Sequence, residues 1–161
     1  MNTLCKDCSI DSMSHSFNLL DLYKNANNED VYLFYTRISD AKKYNDTDSI
    51  LNHYNNLLNF VNPTKWIWVV DFAHFELKHY LHLKTPIELA KLLDKFGKID
   101  NVIVINQNKF VNLLINLLTK FINMKYNIFI FDKNQKNNLK TFLIKENINT
   151  TYIDFIVNCV G

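Results

Sequence analysis

The sequence predicts an α/β domain with a mostly parallel central sheet and crossover helices, on two observations. Three short runs, WIWVVDF (Trp66 to Phe72), NVIVIN (Asn101 to Asn106) and YNIFIF (Tyr126 to Phe131), are almost continuously apolar. They lack the polar alternation of a half-exposed strand and read as strands covered on both faces. Between them lie segments whose apolar residues recur every three or four positions, as in amphipathic helices. Strand and helix therefore alternate, and right-handed crossovers then give parallel neighbours.

Taken in order, residues 1 to 28 are polar, with a short apolar patch at Phe17, Leu19, Leu20 and Leu22. They predict a loose lead-in with one helical turn, ahead of a domain over residues 29–161. VYLFYTRI (Val31 to Ile38) is rich in β-branched and aromatic residues and reads as a strand. Asp46 and Asp48 offer caps to a helix carrying Ile50, Leu51, Tyr54, Leu57, Leu58 and Val61, which Pro63 ends. Thr85, Pro86 and Glu88 have the spacing of a capping box opening a helix through Leu89, Leu92, Leu93 and Phe96, with Gly97 placed for a left-handed end. A third helix is predicted over Lys109 to Asn123 and another around Asn138 to Lys145, before a terminal TYIDFIV segment.

Composition excludes several function classes. The 161 residues are 48% hydrophobic and 14% aromatic, far from the disordered class. Only 2 Gly and 2 Pro occur, so phosphate-cradling glycine loops are absent. A net charge of +2, with Arg37 as the sole arginine, gives no footprint for nucleic acid. Abundant Asn and Lys beside Ile, Phe and Tyr read as a coding bias rather than a functional signal. Cys5, Cys8 and Cys159 form no disulfide framework, and no apolar run reaches membrane-spanning length, so a reduced, cytoplasmic protein is expected.

Candidate chemistry is sparse. Cys5 and Cys8 form one CxxC with His15 beyond it, but no second pair follows at zinc-site spacing; the motif reads as incidental to the tail, and no metal or cofactor is expected. His74, His79 and His82 fit no zincin pattern and read as surface histidines. Asp71 ends a buried strand at the carboxyl edge of the sheet and reads as a loop-capping or hydrogen-bonding residue. No nucleophile elbow or activated cysteine is present, so no enzyme is expected. The helix over Lys109 to Asn123 is apolar on more than one face, through Phe110, Val111, Leu113, Leu114, Leu117, Leu118, Phe121 and Ile122. That pattern fits either deep burial or a helix over an apolar ligand cavity.

In sequence, WIWVVDFAHFEL, TPIELAKLL, NVIVINQNKF, the apolar helix, YNIFIF and the closing LKTFLIKENINTTYIDF resemble the CRAL-TRIO lipid-binding domain family over roughly residues 31 to 155. The Val-Val-Asp and Val-Ile-Asn strand ends carry most of the likeness. The resemblance implies a gate helix, Lys109 to Asn123, closing an apolar cavity lined by Trp66, Trp68, Val104, Phe110, Leu114, Leu117 and Phe121. It implies a lipid or other hydrophobic small molecule as ligand, and transient membrane contact through the gate helix. The chain departs from the family's pattern at His74, where a Gly is usual, at Gln107 and Asn108, and at Gly97 and Asn127, where inositol-lipid binders carry charged residues. Trp66 and Trp68 replace small hydroxyl residues, and alternation sets both indoles on one face, where they consume cavity volume. The family's N-terminal helical domain is not found ahead of the first strand. Such short forms are similar to BCH-type modules, which implies the alternative of a protein-interaction module that binds small GTPases or their regulators, with a reduced cavity.

Overall fold

The computed structural model describes residues 5–11, 14–120 and 126–161. Along the chain run α1 (Lys6–Ile10), β1 (Asn18–Lys24), β2 (Asp30–Arg37), α2 (Thr47–Val61), β3 (Trp66–Asp71), α3 (Leu77–Tyr80) and α4 (Lys84–Phe96). They are followed by β4 (Ile99–Ile105), α5 (Lys109–Leu118), β5 (Asn127–Phe131), α6 (Lys136–Lys145) and α7 (Thr150–Cys159). The strands lie side by side in chain order, with β1 antiparallel to β2 and β2 to β5 parallel throughout. The fold class read from the buried apolar runs therefore stands.

This order dictates where the helices go. Each parallel strand steps to the next in the same direction, so right-handed crossovers put α2, α4 and α5 on one face of the sheet. Alternation along β3 follows suit: Trp66, Trp68 and Val70 point toward these helices, while Ile67 and Val69 point to the other face. That second face is covered by α6 and α7, whose Leu139, Leu143, Ile153 and Ile156 meet Leu33, Ile67, Val69 and Ile103. Both faces of β3 and β4 are thus dry, which is why their sequences carry no polar alternation.

Local chemistry sets the helix ends. The Asp46 carboxylate accepts from the Ser49 amide at 3.2 Å to open α2, and Asn108 accepts from the amides of Phe110 and Val111 at 2.9 and 3.3 Å to open α5. Gly97 closes α4 at φ 73°. The capping box expected at Thr85 is not formed: α4 begins at Lys84, and the Thr85 hydroxyl is bonded instead to that of Thr47 at 2.8 Å, tying the starts of α2 and α4 together. The terminal TYIDFIV segment belongs to α7, capped by Asn149.

The expected loose lead-in differs most. Its residues 18–24 form β1, which covers the free edge of β2 with a register irregularity between Leu19 and Asp21. Just before it, Phe17 is fully buried, stacked on Tyr54 of α2 at 3.9 Å between ring centroids and on Phe34 of β2 at 4.8 Å. Trp66 and Trp68 meet its edge. The aromatic stack holds the N-terminal segment on the sheet.

Replacing Phe17 by Ala should therefore cost about 3–5 kcal/mol, the range for deleting a buried aromatic ring. Urea denaturation of the wild type and the variant measures it. A loss below about 1 kcal/mol would show that the N-terminal segment does not depend on this stack.

Candidate functional site

At the carboxyl edge of the parallel strands, Asp71 is fully buried at the end of β3 and accepts four hydrogen bonds. Tyr35 Oη and Arg37 Nε, both on β2, donate to Oδ2 at 2.6 and 2.9 Å; the Ala73 amide and Asn106 Nδ2 donate to Oδ1 at 2.9 and 2.8 Å. Burial, and then the bonded Asp71, push the Tyr35 hydroxyl far above its ordinary pKa, so it remains a donor. Asn106 also donates to the Cys159 carbonyl at 2.8 Å, which fastens the end of α7 to the sheet edge. The bonding role expected for Asp71 is what the geometry shows. An open groove of about 520 Å³ lies over this edge, bordered by Arg37, His74, Asn106, Gln107, Asp132 and Lys133. Each Asp71 oxygen accepts two hydrogen bonds, so the carboxylate is a structural hub for β2, β3 and β4.

Between the sheet and the helices α4 and α5 lies an apolar cavity of about 120 Å³, lined among others by Trp68, Val70, Val104, Leu89, Leu114 and Leu118. A second cavity of about 80 Å³, reaching toward Thr36, Tyr54 and His79, shares Ile38, Pro86, Leu89 and Leu114 with the first. Of the residues expected around a cavity, Trp68, Val104 and Leu114 do line it. Trp66 does not: it is fully buried against Phe34 and Phe17, its indole N–H given to the Gly97 carbonyl at 3.1 Å. Phe110 packs on Tyr80, and Leu117 is half-buried on α5; neither lines the two cavities. Phe121 lies outside the described residues. The Trp68 indole donates to Thr36 Oγ1 at 2.8 Å, which fixes its ring as one wall.

Of the three histidines read as surface residues, His74 and His82 are exposed and only His79 departs from that reading. His79 is buried, accepts from the Glu76 amide at 2.9 Å and stacks on Phe75. His74 is exposed in the left-handed region at φ 61°. Cys5 and Cys8, read as incidental to a loose tail, instead pack against α2, which brings Cys5, Cys8, His15 and His53 together, with one potential ligand atom from each lying within 4.8 Å of the others. His53 was not singled out in the sequence, although it stands in the apolar stripe of α2 beside Ile50, Tyr54 and Leu57. A histidine at a core position, together with an unexplained CxxC, was the signal. Burial pushes the Cys8 thiol up to about 11, while burial and then the neighbouring His53 bring His15 down to about 4.

Fold and site together define a mostly parallel α/β domain with a small apolar cavity and a buried Cys/His cluster. No family model matches the chain, nor does any curated protein or solved structure. Among the described residues, no helix is long and apolar enough to cross a membrane.

Replacing Asp71 by Ala removes the acceptor shared by Tyr35, Arg37, the Ala73 amide and Asn106, and leaves the Arg37 guanidinium without its carboxylate partner. The expected loss is about 3 kcal/mol, the lower end for breaking a buried pair because Arg37 retains some access to water. Guanidinium denaturation reads this out; an unchanged midpoint would remove the hub role.

Proposed function

We propose that this chain is a non-enzymatic binding domain that holds one small hydrophobic ligand between β3, β4 and the helices α4 and α5, with α5 as its gate helix and an organisation akin to CRAL-TRIO domains. The observation that carries the reading is the apolar cavity of about 120 Å³ between Trp68, Val104 and Leu114. Two features of the carboxyl edge support the likeness. His74, where the family carries Gly, stands at φ 61°, a conformation that favours Gly. The two strand-end residues of the resemblance, Asp71 and Asn106, are bonded to one another.

Size narrows the ligand. Pockets for drug-sized molecules run to about 300–1,000 Å³, whereas an apolar cavity of about 150 Å³ accepts benzene. The cavity suits a single ring or a short alkyl segment, and a whole diacyl lipid requires α5 to move off the sheet. Binding would draw on removal of apolar surface from water, at about 25 cal/mol per Å². Contact with a membrane, on this reading, runs through α5, whose Leu113 is exposed.

A second reading is favoured by the same small volume: the packed rings of Phe17, Tyr54, Trp66 and Trp68 fill the face where a lipid would lie, leaving a protein-interaction module. The exposed Leu77 and Leu81 flanking and within α3, with Leu113 on α5, then offer apolar contacts to a protein partner.

Native mass spectrometry and organic extraction of the purified chain, followed by titration with benzene and octanoate, separate the two. Ligand binding predicts a co-purified small molecule or saturable uptake of a probe. Leu114→Ala should lose about 2–5 kcal/mol of stability yet take up benzene more readily, and Leu114→Trp should abolish uptake. If neither the wild type nor Leu114→Ala takes up a probe and nothing co-purifies, the interaction module stands instead.

A further inference from the structure

We propose that Cys5, Cys8, His15 and His53 bind one Zn²⁺ ion in a closed tetrahedral site that staples the N-terminal segment to α2. The geometry of the four side chains carries the inference. Cys5 Sγ and Cys8 Sγ each lie 3.5 Å from His15 Nδ1, and Cys8 Sγ lies 3.7 Å from His53 Nδ1. With Zn–S of about 2.3 Å and Zn–N of about 2.0–2.1 Å, the sulfur-to-nitrogen edge of a tetrahedron is about 3.6 Å. All three separations fall at that edge.

Hydrogen bonding alone does not account for the convergence. A neutral imidazole nitrogen offers one lone pair, yet two sulfurs approach His15 Nδ1; a thiol has one proton, yet two ring nitrogens approach Cys8 Sγ. A cation at the centre satisfies every one of these atoms at once.

The outer partners set both rings for this role. His53 Nε2 lies 3.1 Å from the Phe17 carbonyl, which can only accept, so Nε2 carries the proton and Nδ1 turns its lone pair inward. His15 Nε2 lies 2.8 Å from Ser49 Oγ, and Ser49 gives its own proton to Asp7 Oδ2 at 2.7 Å. The serine therefore accepts from His15 Nε2–H, and Nδ1 again points inward. Lys43 holds the Asp7 carboxylate in place from its other oxygen at 2.7 Å. A carboxylate or carbonyl behind each ligating histidine is the usual support of a metal site.

The donor set selects the ion and its role. Two thiolates and two imidazoles suit zinc, and their two negative charges cancel its double positive charge. Binding converts two thiols to thiolates and releases two protons to solvent. Four protein ligands leave no position for water or substrate, so the site is structural rather than catalytic. It also has a task, since α1 is only 5 residues long, too short to persist alone, and it precedes the buried Phe17. The two histidines bracket that residue: His15 lies two positions before it, and His53 holds its carbonyl.

The test uses the full chain purified under reducing conditions without chelator. Elemental analysis should find one zinc per chain. Metal-stripped protein titrated with Co²⁺ should develop the intense visible bands of tetrahedral cobalt with a thiolate charge-transfer band. Cys8→Ser should lose those bands, whereas Cys159→Ser, at the far end of the chain, should keep them in full. Because Cys8 is buried and its variant could misfold, Ser49→Ala provides the second reading: it keeps all four ligands and should weaken zinc affinity about 10–100-fold in chelator competition. A metal-free wild type giving only the pale spectrum of octahedral Co²⁺, or a native Cys5–Cys8 disulfide, would overturn the proposal. So would an affinity unchanged by both Cys8→Ser and Ser49→Ala.

Discussion

The buried carboxylate of Asp71 is the constraint on which the carboxyl edge of the sheet depends. A charged group without water is costly unless donors replace its hydration, and here the donors come from β2, from the turn after β3 and from the residue after β4. Satisfying one side chain therefore sets the relative position of three neighbouring strands. The same Asn106 amide reaches the last turn of α7, so the closing helix is registered to the sheet by the group that registers the strands to each other. The apolar contacts beneath α6 and α7 supply the larger driving force, but they are non-directional. The hydrogen bonds to Asp71 and Asn106 make one placement better than its neighbours.

The opposite face is governed by aromatic bulk. Phe17, Phe34, Tyr54, Trp66 and Trp68 meet in stacked and edge-on pairs, and each indole N–H has an acceptor. Rings held at both ends by packing and a hydrogen bond have little room to move. The space left beside them is consequently a small apolar cavity under α5 rather than a lipid-sized tunnel. Trp68 forms one wall of that cavity, while Trp66, two residues earlier on the same face, is sealed beneath Phe17 and Phe34.

The sequence made β3 and β4 legible because burial on both faces removes polar alternation, and both lie within two residues of their apolar runs; β5 reads as buried in the same way but is an edge strand, exposed at Asn127 and half-buried from Ile128 to Phe131. β1 escaped notice for the converse reason. It is an edge strand, mostly half-buried, and its irregularity between Leu19 and Asp21 breaks the alternation that would have announced it. Trp68, Val104 and Leu114 were expected around a cavity from the family resemblance and do line one, but Trp66 faces the same side two residues before Trp68 and is sealed by Phe17, a contact that strand alternation cannot reveal. The Cys/His cluster was half legible. Its CxxC and His15 are local, while His53 comes from the apolar stripe of a helix far along the chain, and only the fold brings them together.

The scarcity of glycine and the wealth of asparagine are two sides of one solution. Outside the single Gly97, the left-handed positions of the described backbone fall to Asn28, Asn62, Asn106 and Asn147, with His74 and Lys98. Asparagine tolerates this region better than other side chains because its short amide bonds locally. Abundance alone does not account for the placement of Asn at these turns. Asn106 shows what the substitution adds over glycine: its left-handed backbone, at φ 58°, turns the chain after β4, and its amide then reaches both Asp71 and the Cys159 carbonyl. A glycine there would make the turn and leave the hub without one donor and α7 without its tie. At that position the residue that replaces glycine's freedom also carries the contact that holds the domain's edge together.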